Sequence, residues 1–252
     1  MTLDPRFLSL PIAHRGLHTG SRSRPENSMA AFEAAAMFGF AIELDVQLTR
    51  DGVAAVFHDY NLQRLLSRSG AIQATDFTDL SSARILGSGE APPNLTDVLS
   101  LVAGQVPILI ELKDQSGLLT GTTGRLESVI VKALSSYVGP VAVMSFNPDQ
   151  VIEMRRIAPN IPRGLVTESF ISDEWVLVPF GRREQLSSGA FINEVDVSFV
   201  NHKRSDLDSP LVKTLRDRDI PVFAWTITSE HQELEARRIV QNITFENYLP
   251  NA

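Results

Sequence analysis

Eight short apolar runs recur along these 252 residues, and most are separated by segments with helical spacing. The runs are Leu10–Ala13, Ala41–Val46, Val53–Phe57, Val106–Leu112, Val141–Phe146, Pro162–Thr167, Val195–Val200 and Pro221–Thr226. Helical patterns cover Asn27–Phe40, Leu95–Val102, Thr123–Ser136, Pro148–Ile157 and Glu230–Val240. Strand runs alternating with helices imply a mainly parallel sheet. Eight of them in a chain of this length close most naturally into a TIM-type (β/α)8 barrel; a doubly wound sheet is the other arrangement the pattern allows. No repeat, low-complexity tract or linker divides the chain, so the expectation is one domain over residues 1–252. Residues 60–93 are the least regular stretch and read as a loop-rich excursion.

One connection departs from the alternation. Only Gln47–Gly52 separates the second run from the third, and a parallel crossover needs a dozen residues or more. Arg50-Asp51-Gly52 is a turn signal instead, so Glu43–Asp59 should contain a hairpin-like return. A turn centred on Asp51 pairs residues whose numbers sum to roughly 102 or 103. His58 then comes back beside Asp45.

Polar groups gather at the strand ends. His14 and Arg15 follow the first run, and His58 and Asp59 follow the third. Glu43 and Asp45 stand at i and i+2 in the second run, as do Glu111 and Lys113 at the end of the fourth. Residues at i and i+2 share a strand face. The apolar neighbours Ile42, Leu44 and Val46 take the opposite face, which sends the acids into the barrel. The C-terminal ends of barrel strands form the functional face. Three inward carboxylates at close range cannot all remain ionised without compensation. A divalent cation supplies it, and oxygen ligation suits Mg²⁺, Ca²⁺ or Mn²⁺ rather than Zn²⁺. Arg15 and Lys113 suit a phosphate, and two histidines can serve as general acid and base. Together these groups form a set for cleaving a phosphodiester. Phe146 and Trp225 end strands on the same face and are candidates for the substrate wall. His18, His202 and His231 read as loop or surface residues.

Composition narrows the alternatives. A net charge of −7 gives no sign of nucleic-acid binding. The absence of cysteine excludes disulfides, thiolate metal sites and a cysteine nucleophile. No stretch reaches the ~18 apolar residues of a membrane span, and no basic region precedes an apolar run near Met1. The expectation is a cytoplasmic protein acting on a small molecule, without membrane insertion.

Several blocks together resemble the glycerophosphodiester phosphodiesterase family, within the phospholipase-C-like phosphodiesterase superfamily. They are His14-Arg15-Gly16, Pro25-Glu26-Asn27-Ser28, Glu43-Leu44-Asp45-Val46, Thr49-Arg50-Asp51-Gly52, Phe57-His58-Asp59 and Glu111-Leu112-Lys113. Ser145-Phe146-Asn147 and Trp225-Thr226 are weaker echoes. The resemblance implies a TIM barrel that hydrolyses deacylated phospholipids to glycerol 3-phosphate and an alcohol. It implies Glu43, Asp45 and Glu111 as metal ligands, His14 and His58 as the acid–base pair, and Arg15 and Lys113 on the phosphate. Glu26 would lie at the metal edge or bind the glycerol. The closing segment departs from the family, because Phe245 stands where an aspartate is usual, so its polar contacts should be altered. The short excursion after His58 should leave the cleft open. Two other functions remain as alternatives. A barrel acting on intact lipid would call for an apolar rim or an amphipathic segment facing a membrane, and neither stands out in the sequence. A non-catalytic phosphate-binding barrel would not need both histidines and all three acids.

Overall fold

The structure is a computed structural model that describes residues 2–20 and 23–250. Its strands are β1 (Ile12–Ala13), β2 (Ala41–Leu48), β3 (Ala54–Val56), β4 (Ile108–Leu112) and β5 (Val141–Ser145), followed by β6 (Arg163–Thr167), β7 (Phe199–Lys203), β8 (Val222–Ile227) and β9 (Asn242–Phe245). Eight of them pair in parallel in the circular order β1-β2-β4-β5-β6-β7-β8-β9, and β9 returns to β1. This is the closed TIM-type barrel expected from the alternation. Among the described residues, no helix is long and apolar enough to cross a membrane.

Membership of the barrel differs from the sequence reading in one place. The hairpin strand β3 runs antiparallel to β2 and lies outside the barrel. The eighth barrel strand is β9, the segment around Phe245. The hairpin itself has the lower of the two expected registers, with Val46 opposite Val56 and Leu48 opposite Ala54. A second difference is the seventh strand, which begins four residues after the Val195 expected. Ile192–Val195 form a helical turn. Asp196 ends that turn in the left-handed region, at φ 56°, and the Arg163 guanidinium bonds Val195 O and the Asp196 carboxylate. The irregular excursion folds into short helical turns over its own small core of Phe57, Leu62, Leu65, Ile72, Leu80 and Ile85.

Strand parity sorts the barrel residues, apart from an irregularity in β8 between Ala224 and Ile227. Ile42, Leu44, Val46, Ile108, Ile110 and Leu112 point outward and pack under the helices, where the main core lies. The inward set begins, at the N-terminal end of the barrel, with Ile12, Ala41, Leu109, Ala142, Phe199 and Phe223. Phe199 and Phe223 stack with centroids 5.0 Å apart. The helix Arg6–Ser9 closes this end with the buried Phe7, and Asn242 Nδ2 ties it down by donating to Phe7 O and Leu10 O at 2.7 Å each. One turn further up, the inward positions become polar, and there the candidate site begins.

Gly16 illustrates how tightly that end is built. It holds φ +78°, and an added Cβ would meet the Ala31 carbonyl carbon at 2.9 Å. Ala31 belongs to the helix Met29–Met37, capped by Ser28 and packed against the barrel. Gly16→Ala should therefore cost about 1–3 kcal/mol through backbone strain and overpacking. A thermal unfolding midpoint equal to the parent's would refute this.

Candidate active site

Parity and register together build the acidic centre. Glu43 and Asp45 face inward from β2, and the β2–β4 register sets Asp45 directly opposite Glu111. Carboxylate oxygens from all three lie within 4.8 Å of one another, and all three residues are buried. Glu43 Oε2 accepts the Arg15 backbone N–H at 2.8 Å, while Glu43 Oε1 is buried with no hydrogen-bond partner. Burial, Asp45 and Glu111 push the Glu43 carboxyl well above its usual value. Burial also works against the Asp45 carboxylate, yet His58, Lys113 and Arg15 hold it below the ordinary range. A buried carboxylate oxygen without a donor, beside two more acids, fits a hard divalent cation with oxygen ligands.

Arg15 and Lys113 frame this centre. Lys113 Nζ donates to Glu111 at 3.0 Å and lies 3.6 Å from Asp45. Burial alone would lower Lys113, but Glu111 and Asp45 hold it above its usual value, so it stays charged. Arg15 Nε lies 3.4 Å from Asp45, and its fork reaches Glu26 at 2.7 Å. Glu26 is also held by Arg64 through two contacts of 2.7 Å. Both oxygens of Glu26 are thus engaged by arginines, and its visible work is to hold Arg15.

The two histidines share one design. His14 Nδ1 lies 2.7 Å from Glu246 and His58 Nδ1 lies 2.8 Å from Asp59. A carboxylate on Nδ1 fixes the proton there and leaves Nε2 as the free nitrogen. Asp59 is in turn gripped by Arg64 at 2.7 and 2.8 Å. Burial and the Arg15 charge push His14 down to about 4, which leaves it neutral near pH 7. In the hairpin it is Phe57 that faces Asp45, bonding its carbonyl at 3.0 Å. His58 reaches the site because the chain then curls round Gln47, whose Nε2 donates to the carbonyls of Phe57, His58 and Asp59 at 2.8–3.0 Å.

His14, Arg15, Glu43, Asp45, His58, Glu111, Lys113, Phe146 and Trp225 all line one cleft of about 100 Å³. The candidates read from sequence therefore converge, with Glu26 just outside. Four contributors escaped that reading. Asn27 donates to Asp45 at 2.8 Å. Gln47 and Arg64 hold the His58 segment, and Glu246 holds His14. Gln47 and Glu246 had a signal: each is i+2 from an inward residue, Asp45 and Thr244. One of the remaining histidines differs from expectation. His18 lies in a loop as expected, its side chain nearly buried 3.4 Å from Glu246. His202 is buried in β7 between Thr167 and Asp206. His231 is on the surface as expected.

The rim also differs. Beyond the cleft, a second space of about 340 Å³ runs from His58 and Lys113 to Leu119, Phe146, Trp175 and Trp225. Phe146 meets Trp225 edge-on at 5.5 Å and Trp175 at 5.1 Å. The segment after β6 carries Ile171, Val176 and Leu177 outward, and Phe180 at the start of the helix Phe180–Ser187 joins them, so an apolar rim is present.

The chain and its fold have known relatives. The sequence matches the glycerophosphoryl diester phosphodiesterase family over residues 14–244. A glycerophosphodiester phosphodiesterase of Caldanaerobacter subterraneus is 33% identical over 230 residues, covering 87% of this chain and 86% of that protein. One from Bacillus altitudinis is 31% identical over 169 residues, covering 64% and 67%. Among solved structures, an Oleispira antarctica phosphodiesterase in complex with sn-glycerol-3-phosphate superposes with a TM-score of 0.79 at 24% identity, covering 96% of this chain and 94% of that one. A Parabacteroides distasonis glycerophosphodiester phosphodiesterase gives 0.73 at 22%, covering 93% and 91%. With the match beginning at His14 and ending at Thr244 of the closing strand, the chain belongs to the glycerophosphoryl diester phosphodiesterase family.

Proposed function

We propose that this enzyme hydrolyses glycerophosphodiesters to glycerol 3-phosphate and an alcohol, using His14 and His58 as its acid–base pair beside a divalent cation held by Glu43, Asp45 and Glu111. The observation that carries the reading is the meeting of two histidines, each tethered through Nδ1, with three buried acids in one cleft. The product complex of the Oleispira antarctica phosphodiesterase, on the same fold, supports glycerol 3-phosphate as the product. A bound Mg²⁺, Ca²⁺ or Mn²⁺ would neutralise charge growing on the phosphoryl oxygens.

The chain's own groups do the rest. Neutral His14 offers Nε2 to take a proton from the attacking hydroxyl, and His58 gives one to the departing alkoxide. Arg15 and Lys113 bind the phosphate, and Glu26 orients Arg15. Phe146 and Trp225 wall the glycerol side. The hydroxyl can be that of the glycerol, giving a cyclic phosphate that water opens, or that of water itself. Both courses end in the same products, and trapping of a cyclic phosphate in a rapid quench separates them.

Purified protein with Mg²⁺ or Ca²⁺ should release glycerol 3-phosphate from glycerophosphocholine or glycerophosphoethanolamine. Failure across a panel of head groups and metals would refute the assignment. Glu246→Gln should lower kcat about 10–100-fold with KM little changed, as loss of an orienting carboxylate typically does. Glu246 touches His14 and not the substrate in this reading, so an effect confined to KM would contradict it.

A further inference from the structure

The Nδ1 edge of His14 belongs to a second cluster, apart from the three acids of the cleft. His14 follows β1 and Glu246 follows β9, and these strands pair so that Ala13 stands beside Phe245. The next residue of each brings His14 Nδ1 to 2.7 Å from Glu246 Oε2. Leu17 N–H then donates to Ala31 O and His18 N–H to Gly16 O, both at 2.9 Å. This turn sets His18 Nε2 3.4 Å from the same carboxylate oxygen. One ligand atom from each of the three residues lies within 4.8 Å of the other two.

His18 is the member without a task. Its side chain is only 8% exposed, and its buried Nε2 has no hydrogen-bond partner among the described residues. A buried polar nitrogen calls for a partner, and this one is aimed at a carboxylate and a second imidazole. Two imidazole nitrogens and a carboxylate form the donor set of a zinc-type ion with its fourth position left to water. The all-oxygen set of Glu43, Asp45 and Glu111 suits harder cations. Asn247 Nδ2 donates to Glu246 Oε1 at 3.2 Å, which orients the carboxylate and leaves Oε2 for an ion. A space of about 320 Å³ reaches His18 past Leu17, Asn247 and Tyr248 and shares no lining residue with the substrate cleft, so it offers a separate entry. One existing bond opposes binding. Gly20 N–H donates to His18 Nδ1 at 3.2 Å, at an exposed residue where water can replace it.

We propose that His14, His18 and Glu246 form a second cation site, taking Zn²⁺ or an ion of its kind, and that its occupation switches the enzyme off. The switch rests on the reading of His14 as the base. Glu246 keeps the His14 proton on Nδ1 and leaves Nε2 bare. An ion on Nδ1 takes that position, so the proton moves to Nε2, and the nitrogen facing the phosphodiester can no longer accept one. In His18 the proton moves the other way, from Nε2 to Nδ1. Both rings stay neutral, Glu246 stays ionised and no proton is lost.

The test uses the full chain with Mg²⁺ in large excess to fill the three acids. Binding is read without turnover from the visible absorption of Co²⁺ in place of Zn²⁺, whose intensity separates four-coordinate ligation from octahedral. Activity is the ratio of glycerol 3-phosphate release with and without Zn²⁺, in which any change of basal rate cancels. The parent should show a four-coordinate spectrum, and saturating Zn²⁺ should lower its turnover about 100-fold or more, the worth of a general base. His18→Gln should bind Zn²⁺ at least about 100-fold more weakly, because a lost ligand costs more than a lost outer partner. It should keep working at zinc concentrations that silence the parent. The parent's cobalt spectrum stands whether or not the variant folds. An octahedral spectrum, no binding at all, or equal zinc affinity in the parent and His18→Gln would overturn the site. Four-coordinate binding that leaves the parent's turnover unchanged would keep the site and overturn the switch, together with the role of His14 as base. Four-coordinate binding in a protein that cleaves no phosphodiester would keep the site and overturn the reading of the cleft.

Discussion

Alanine in place of His14 or His58 is expected to lower turnover about 10²–10⁴-fold, the usual worth of a positioned general acid or base. Each ring is held by a carboxylate on Nδ1, Glu246 for His14 and Asp59 for His58, so each directs one nitrogen to the cleft. Burial and Arg15 keep His14 neutral near pH 7, the form a base requires. A base loses activity as pH falls through its pKa, so the His14 contribution should persist down to about pH 4. His14→Ala should accordingly lower the whole profile at neutral pH rather than shift it. The two changes act on one proton-transfer sequence, so the double variant should lose far less than the product of the single losses. The check is steady-state release of glycerol 3-phosphate, alongside unfolding midpoints that show the variants folded. Turnover near the parent's in either single variant would remove that histidine from the reaction.

The barrel is legible in the sequence because strand parity holds through β2 and β4. Outward Ile42, Leu44 and Val46 leave Glu43 and Asp45 only the interior. The same logic places Glu111 and Lys113. The eighth strand is missing from the apolar runs because Asn242 and Thr244 face inward, and only the family resemblance marked it as the closing segment. In its place, Val53–Phe57 looked like a barrel strand, although the short connection Gln47–Gly52 before it suits only a hairpin. At Val195, apolar alternation served a helical turn as well as a strand would have. Arg64 could not be placed, since its contacts with Glu26 and Asp59 depend on how the irregular excursion folds back. The apolar rim escaped for a related reason. Its residues sit in a loop without period, and only the fold decides that Trp175 turns inward and Leu177 outward. In the closing segment an acid, Glu246, follows Phe245 directly. Phe245 faces the outer core, while Glu246 has the inward parity and reaches His14.

Removal of divalent cations should abolish activity, and Glu43→Gln should lower it to a similar extent at ordinary cation concentrations. Glu43 is the most demanding of the three acids. One oxygen has no donor, and burial with Asp45 and Glu111 alongside pushes its carboxyl far above the usual range. Without a cation, the folded protein therefore keeps a proton on this group at a pH where the unfolded chain has lost it. For a group raised on folding, the associated stability is full at low pH and disappears as pH rises through the folded-state value. The cation-free enzyme should thus lose stability toward alkaline pH. A cation replaces that proton, so binding should release protons and tighten as pH rises. At a concentration 100 times its dissociation constant, a cation stabilises the native state by about 2.7 kcal/mol, a shift of roughly 5–10 °C in the unfolding midpoint for a chain of this size. The shift should be larger at pH 8 than at pH 5. In Glu43→Gln it should shrink at both pH values and lose most of its pH dependence, because the neutral amide has no proton to release. Calorimetry in buffers of different ionisation enthalpy gives the proton count directly. Full activity in excess EDTA, or a cation effect on stability that is the same in the parent and in Glu43→Gln, would contradict the placement of a metal at these three acids.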